Sequence, residues 1–297
     1  MSSTVISIDV GGTGLKCALV DSEHRVLLSE RHPTGRERGP EAVVQTIIEV
    51  ATGLAGRGGA QAVGVVVPGI VDEANGVARY SANVGFRDVP LRDLLRAKLG
   101  IAATLGHDVR AGGLAEARLG AGRGRSQVLV MPIGTGIAAA HVVDGVVSGG
   151  AHGAAGEIGH IVVRPEGPRC GCGQRGCLEA VASASAVQRR YAELTGVSLT
   201  AAQIADRVAE EDHAAQIWRE TVAALADGLL IGQALYDVEL VIVGGGLAES
   251  GETLLAPLRE AFRARAAFHR VPEMVQAELG DEAGCLGAAL LALELVR

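Results

Sequence analysis

Three cysteines close together in the sequence are the feature that points most specifically to chemistry. Cys170, Cys172 and Cys177 lie within eight residues, separated by glycines, and His160 precedes them. Three thiolates and one imidazole complete the tetrahedral shell of Zn²⁺, and a site with four protein ligands is structural and not hydrolytic. Free thiols or a disulfide are the alternative, which a reducing compartment disfavours. The cluster therefore predicts a structural zinc site.

Two glutamates, Glu157 and Glu179, flank this cluster, and neither is needed as a zinc ligand. Carboxylates accept hydrogen bonds from neighbouring hydroxyl groups, so a metal-braced loop that carries two of them suits a sugar. His160 could give one ring nitrogen to zinc and the other to a substrate hydroxyl. Taken singly, each glutamate could equally be a surface residue.

A glycine-rich segment from Asp9 to Lys16 lies between two apolar segments and suits a chain of phosphates. Gly11 and Gly12 let the backbone approach phosphate oxygens, and N–H groups and the Thr13 hydroxyl can donate to them. Lys16 could add positive charge, and Asp9 could hold the hydration shell of Mg²⁺. Because a strand follows, the segment is neither a Walker loop nor a dinucleotide fingerprint. An ordinary hairpin turn is the alternative.

Two more glycine turns follow apolar segments, at Gly134-Thr135-Gly136 and at Gly244-Gly245-Gly246. Nucleotides commonly bind at strand ends in α/β sheets, where Thr135 would add a hydroxyl donor and Gly245 a close backbone approach. Each turn is a weak signal alone. Together the three turns indicate a bound nucleotide.

Asp108 follows Gly106 and His107, just before a segment with helical spacing at residues 111–118. A carboxylate in this place can accept the proton of an attacking hydroxyl in phosphoryl transfer. It can equally cap the N-terminus of the helix. The spacing alone does not separate these two roles.

The elements that must position these residues are read from hydrophobic patterns. Predicted strands are Val5 to Ile8, Leu15 to Val20, Ala62 to Val67, Val128 to Ile133, Ile137 to Val143 and Leu240 to Val243. Predicted helices are Glu41 to Ala55, Leu91 to Leu99, Ala111 to Arg118, much of Glu179 to Ala234, Leu254 to Arg265 and Cys285 to Val296. A strand, a glycine turn and a second strand occur twice, which predicts two similar α/β halves facing a shared cleft. We predict lobes at 1–118 and 119–283, with the helix of about 284–297 packing back on the first.

Composition narrows the class of protein. The 297 residues are 48% hydrophobic but only 2% aromatic, with 42 glycines, which suits an aliphatic α/β core. A net charge of −7 and few aromatic residues argue against binding to nucleic acid. No apolar run reaches the roughly 18 residues of a membrane span, and the N-terminal segment lacks the basic region of a signal peptide. We therefore expect a cytoplasmic protein.

These motifs together resemble the ROK family (repressors, open reading frames and sugar kinases), and in particular its bacterial glucokinase-like members. The resemblance covers essentially the whole chain. The family's DxGGTxxK loop matches Asp9 to Lys16, its E-x-G-H segment matches Glu157 to His160, and its C-x-C-G-x-x-G-C-x-E segment matches Cys170 to Glu179. The resemblance implies the actin-like two-lobed ATPase fold and an enzyme that transfers phosphate from ATP to a hexose, usually as a dimer or tetramer.

The resemblance also implies roles for individual residues. Asp108 would be the catalytic base, and Zn²⁺ would bind His160, Cys170, Cys172 and Cys177. Glu157, His160 and Glu179 would hold the sugar, with Gly69 and Asn83 lining its pocket.

One departure bears on the substrate, because His107 stands where the family commonly has an Asn that contacts sugar hydroxyls. Glucose is the first expectation. Mannose, fructose, an N-acetylhexosamine or a cyclitol is the alternative. A sugar-sensing regulator of the same family is a second alternative, which the position of the Asp9 loop near the N-terminus disfavours, since such regulators carry a preceding helix-turn-helix.

Overall fold

The computed structural model describes residues 3–297, which divide into two compact units. Unit 1 comprises the described residues up to Ala115, together with Ser148–Ala155 and Asp281–Arg297. Unit 2 comprises Glu116–Val147 and Gly156–Gly280. Among the described residues, none of the helices has the length and apolar character needed to cross a bilayer.

Unit 1 is built on a mixed sheet of five strands, with a second sheet of three short strands. Its strands are β1 (Thr4–Val10), β2 (Gly14–Asp21), β3 (Val26–Pro33), β4 (Ala62–Val67), β5 (Ile70–Asp72), β6 (Val77–Ser81), β7 (Phe86–Val89) and β8 (Ala102–His107). The larger sheet has the order β3-β2-β1-β4-β8, and the smaller one the order β5-β6-β7. β1 is antiparallel to β2, whereas β1, β4 and β8 are parallel.

Helices cover both faces of the larger sheet because its central strands are apolar on both sides. All six residues of β4 are buried. One face packs in a cluster with α1 (Pro40–Gly58) and α2 (Leu91–Leu99). The other face meets α9 (Ala283–Leu293), so closely that a side chain on Gly64 would collide with the backbone of Ala288.

Unit 2 repeats this plan. Its strands are β9 (Gln127–Pro132), β10 (Ala140–Val143), β11 (Val146–Val147), β12 (Leu240–Gly244) and β13 (Glu273–Gln276). The order β11-β10-β9-β12-β13 again has an antiparallel hairpin at one side and parallel strands at the other. The predicted repetition of a strand, a glycine turn and a strand is therefore confirmed.

The core of unit 2 lies between its sheet and a group of helices. These are α4 (Leu178–Ala182), α5 (Ala184–Thr195), α6 (Ala201–Ala205), α7 (Asp212–Tyr236) and α8 (Glu252–Arg265). The buried aromatic side chains Tyr191, Trp218 and Phe262 belong to this core. The helix α3 (Asp108–Leu119) begins in unit 1 and ends in unit 2.

Two of the predicted elements are wrong in extent, and a third prediction is confirmed. The strand predicted from Ile137 begins only at Ala140, because Ala139 N donates to Gly156 O (2.7 Å) outside the sheet. Residues 179–234 are largely helical, as predicted, and divide among four helices, one break lying at Ser183, which caps α5. The helix predicted from Ala111 begins three residues earlier, at Asp108.

Candidate active site

The phosphate loop predicted at residues 9–16 is a tight hairpin between β1 and β2. Asp9 and Lys16 are opposite each other in the register, and Gly11 N donates to Gly14 O (2.9 Å) to close the turn. A Cβ on Gly11 would lie 3.0 Å from that carbonyl oxygen, closer than side chains normally pack, so glycine suits the turn there. The Thr13 side chain is exposed at the tip. The turn thus presents backbone and hydroxyl donors to solvent.

Asp9 stands at the inner end of this loop with its side chain only 15% exposed. Burial, with the nearby charge of Asp108 as the second cause, raises the pKa of Asp9 to about 7. The carboxylate lies against Gly284 in the first turn of α9, where a Cβ would collide with it. The protein therefore holds a carboxyl group here that is costly to ionise without a cation.

Lys16 is engaged in an ion-pair network with the segment that precedes α9. Its ammonium group pairs with the Asp281 carboxylate, donates to the Asp281 carbonyl oxygen (2.8 Å) and lies 3.9 Å from Asp9 Oδ2. Arg31 joins from β3, with Nη2 2.9 Å from the second Asp281 oxygen. The network fixes the start of α9 to the hairpin.

The carboxyl ends of the three parallel strands bring three predicted residues close together in unit 1. Asp9 pairs with Val66, and Val66 pairs with Gly106. Gly69 follows the end of β4, and Asp108 follows the end of β8. Ligands commonly bind at this edge of an α/β sheet.

Asp108 is the first residue of α3, and its side chain does not cap the helix. Its Oδ1 accepts from Val109 N (2.7 Å), one residue on, while the imidazole Nδ1 of His107 accepts from Arg110 N (3.3 Å), three residues on. Burial lowers the pKa of His107 to about 4, so the ring is neutral with Nδ1 as acceptor. Burial also raises the pKa of Asp108 above its ordinary value. Because His107 caps the helix, the Asp108 carboxylate is left for another role.

Arg110 and Glu73 support the start of α3, and no pattern in the sequence pointed to either residue. Arg110 is 2% exposed and donates through Nε (3.0 Å) and Nη2 (2.8 Å) to Glu73 Oε1. The same Glu73 oxygen accepts from His107 N (3.1 Å). The pair lies 37 residues apart in the chain, so only the fold brings it together.

Two further predicted residues of unit 1 lie in turns. Gly69 has φ +103°, and a Cβ there would lie 3.0 Å from Ser81 Cα, so glycine is required. Asn83 lies in the turn between β6 and β7, and its Cβ is 3.8 Å from where a Cβ on Gly12 would stand. Asn83 therefore lies beside the phosphate loop.

In unit 2 the four predicted zinc ligands come together. The ligand atoms of His160, Cys170, Cys172 and Cys177 all lie within 4.8 Å of one another. His160 Nδ1 is 3.6 Å from Cys170 Sγ, and Cys172 Sγ is 3.6 Å from Cys177 Sγ. Four ligands about 2.3 Å from a tetrahedral ion would stand about 3.8 Å apart, so the spacing fits Zn²⁺.

The two predicted sugar-binding glutamates lie beside this cluster. His160 Nε2, on the ring edge away from Cys170, is 3.8 Å from Glu157 Oε2. Glu179 lies in the first turn of α4, which follows Cys177, and its Oε2 accepts from Ile137 N (3.0 Å). That bond brings Glu179 to the turn of Gly134, Thr135 and Gly136, where a side chain on Gly136 would collide with the carboxylate.

The third glycine turn, at the end of β12, lies next to β9. Gly245 has φ +76°, and a Cβ there would lie 2.6 Å from Ile133 O. Ile133 is also bonded to the turn, since its N donates to Gly244 O (2.8 Å) and its O accepts from Leu247 N (3.0 Å). Unit 2 thereby places two of the predicted nucleotide turns, at Gly134 and Gly245, on neighbouring strands.

Known proteins resemble this chain over nearly its full length. The model of the ROK family matches residues 5–295. The glucokinase of Thermotoga maritima is 35% identical over 310 aligned positions, covering 98% of each chain. The N-acetylmannosamine kinase of Escherichia fergusonii is 32% identical and covers 97% of this chain and 98% of its own. The crystal structure of a ROK family glucokinase from Streptomyces griseus in complex with glucose and AMPPNP superposes with a TM-score of 0.85 at 30% identity, covering 98% of this chain and 100% of that one.

Proposed function

The chain belongs to the ROK family, with its actin-like two-lobed α/β fold, and from this premise we propose that it is an ATP-dependent hexose kinase of the glucokinase type. The reaction transfers the γ-phosphate of ATP to a sugar hydroxyl, with O6 of glucose as the first candidate. The new bond joins the hydroxyl oxygen to the γ-phosphorus while the bond from that phosphorus to ADP breaks. The hydroxyl proton passes to Asp108.

One geometric observation carries this proposal. The carboxyl ends of the parallel strands β1 and β8 place Asp9 and Asp108 at the same edge of one sheet. A phosphate loop and a carboxylate that can accept a proton, within one unit, are what phosphoryl transfer to a hydroxyl requires. The similarity to glucokinases supports the same assignment.

Asp9, Gly11, Gly12, Thr13 and Lys16 bind the phosphates in the proposed reaction. Asp9 holds the hydration shell of Mg²⁺, whose charge would favour the ionised carboxylate that burial disfavours. Mg²⁺ supplies charge neutralisation on the phosphates. Gly134, Thr135, Gly136 and Gly245 bind the nucleotide from unit 2.

Glu157, His160 and Glu179 hold the sugar hydroxyls, together with Gly69, Asn83 and His107. Zn²⁺ at His160, Cys170, Cys172 and Cys177 has a structural role, since it fixes the two segments that carry these side chains. Asp108 acts as general base, a role that typically contributes about 10²- to 10⁴-fold in rate. The active form is a homodimer or homotetramer.

A kinase for N-acetylmannosamine is the second candidate. It is favoured by the 32% identity to such an enzyme and by His107, which replaces an Asn expected to contact the sugar. Because Asn is also a good helix cap, His107→Asn should keep α3 intact while changing the group offered to the substrate.

A substrate panel tests the proposal. ADP release is measured with glucose, mannose, fructose, N-acetylglucosamine, N-acetylmannosamine and cyclitols, for the wild type and for His107→Asn. We expect the highest kcat/KM with glucose, and a further shift towards glucose in the variant. Turnover of N-acetylmannosamine in preference to glucose would favour the second candidate. No ADP release with any sugar would overturn the assignment as a kinase.

A further inference from the structure

The segment that follows β3 is tied to the phosphate loop by Thr34. Thr34 N donates to Thr13 O (3.1 Å), and Thr34 Oγ1 donates to Gly11 O (3.0 Å). The Thr34 side chain is fully buried. Thr34 therefore places the residues that directly follow it next to the phosphate loop.

Gly35 then turns the chain so that Arg36 lies beside the loop. Gly35 has φ +70°, and a 3₁₀ turn follows at Arg36–Arg38. A Cβ on Gly12 would stand 3.7 Å from Arg36 Nη1, so the guanidinium group lies next to the loop backbone where a side chain is missing.

Arg36 differs from the other cations of this region because its charge is not paired. Lys16 and Arg31 both pair with Asp281. Arg38, two residues on, lies 3.9 Å from Glu37 Oε1 and donates to Thr46 Oγ1 (3.3 Å). Within residues 3–297 the Arg36 side chain has neither a carboxylate within 4.0 Å nor a hydrogen-bond partner. An exposed, unpaired guanidinium beside a phosphate loop suits an anionic ligand.

The position along the loop indicates which phosphate Arg36 meets. Asn83, which the proposed function places in the sugar pocket, lies against the same glycine, with its Cβ 3.8 Å from the Gly12 Cβ position. The end of the loop at Gly12 is therefore the end where the sugar and the transferred phosphate meet. Negative charge on that phosphate is spread over its three equatorial oxygens during transfer.

We propose that the Arg36 guanidinium binds an oxygen of the γ-phosphate of ATP and neutralises its charge as the phosphate moves to the sugar. This rests on the proposed function in that the ligand is ATP. Lys16 would bind phosphate while it is also paired with Asp281, whereas the Arg36 guanidinium has no carboxylate partner and can give its full charge to the terminal phosphate.

Nucleotide binding without sugar tests this assignment. The affinities of Mg²⁺-AMPPNP and Mg²⁺-ADP are measured by calorimetry for the wild type, Arg36→Gln, Arg36→Lys and the matched control Arg38→Gln. Both arginines are exposed in the same turn, so equal thermal midpoints should show that each variant folds. We expect Arg36→Gln to weaken AMPPNP binding by about 10- to 100-fold, Arg36→Lys to recover part of it, and Arg38→Gln to stay within about twofold of wild type. ADP binding should change little in all variants.

The kinetic counterpart is a fall in kcat/KM for ATP in Arg36→Gln with an unchanged KM for the sugar. If Arg36→Gln binds AMPPNP as Arg38→Gln does, Arg36 has no such role. Equal losses for ADP and AMPPNP would overturn the assignment to the γ-phosphate. If the wild type binds AMPPNP but phosphorylates no sugar, the proposed function is wrong while the binding comparison still decides the role of Arg36. A wild type that binds neither nucleotide overturns both.

Discussion

At the scale of single residues, the raised pKa of Asp9 makes the free energy of unfolding depend on pH. The pKa of this carboxyl is about 7 in the folded protein, raised mainly by burial, against about 3.9 in an unfolded chain. Between these values the unfolded state releases a proton that the folded state keeps, so the free energy of unfolding falls as pH rises. A residue kept at this cost fits the cation site that the proposed function places here.

We predict that Asp9→Asn stabilises the fold at neutral pH while removing ATP binding. Each pKa unit corresponds to about 1.4 kcal/mol, and the folded carboxyl is already half ionised near pH 7, so between pH 5 and 7 the wild type should lose about 2 kcal/mol relative to the variant. Urea denaturation from pH 5 to 8 measures this difference. Asp206→Asn, at an exposed aspartate, is the control and should follow the wild type. Parallel curves for the wild type and Asp9→Asn would contradict the account.

The sequence was informative about which residues are involved but not about how they are paired. The glycine turns and the cysteine spacing identify loops that the structure does form. The bond between Lys16 and Asp281 joins residues 265 positions apart, and no local sequence pattern predicts it. For Asp108 the sequence left a base and a helix cap as equals, and only the position of the His107 ring showed which residue caps α3.

At the scale of elements, the proposed zinc site accounts for how two short segments would hold the sugar of the proposed reaction. The 3₁₀ turn Ile158–His160 and the five-residue helix α4 are too short to be stable alone. The proposed zinc ligands His160 and Cys177 lie at the end of the 3₁₀ turn and just before α4. A bound ion would therefore fix Glu157 and Glu179 through the backbone that it ties down.

We predict that loss of zinc weakens sugar binding more than ATP binding. The purified protein should contain about one zinc per chain, and Cys170→Ala and Cys177→Ala should lose it. KM for the sugar should rise at least about tenfold, and KM for ATP by less than about threefold. Metal analysis and steady-state kinetics measure these changes. Cys285→Ala, at a buried cysteine 3.0 Å from Ser7 Oγ and outside the cluster, should keep its zinc.

Equal zinc contents in Cys170→Ala and Cys285→Ala would contradict the predicted site. Equal changes in the two KM values would leave the zinc site standing but contradict its role in placing the sugar ligands.

The strands that could be predicted from the sequence are those that are buried and therefore consist of apolar residues. β4 and β12 are continuous apolar segments, and both were found from the sequence. β3, with all of its residues exposed or half-buried, lies at the sheet edge and is held by pairing with β2. Residues 26–33 are not among the predicted strands, because backbone pairing leaves no hydrophobic pattern. Yet β3 leads to Thr34 and Arg36, so a functional proposal depends on a strand that the sequence did not reveal.

At the scale of the whole molecule, each unit has the same order of strands and carries glycine turns at its strand ends. Unit 1 holds the phosphate loop and Asp108, and unit 2 holds the cysteine cluster with its two glutamates. The chemical step of the proposed reaction depends on one carboxylate of unit 1, that of Asp108.

The most direct measurement compares turnover and sugar binding in the wild type and in Asp108→Asn. The amide keeps the size of the side chain and its acceptor oxygen for Val109 N but cannot take up the hydroxyl proton. Calorimetric binding of glucose should stay within about threefold of wild type, while kcat for ADP release falls by about 10²- to 10⁴-fold. Sugar phosphate formed by Asp108→Asn at the wild-type rate would contradict the central claim.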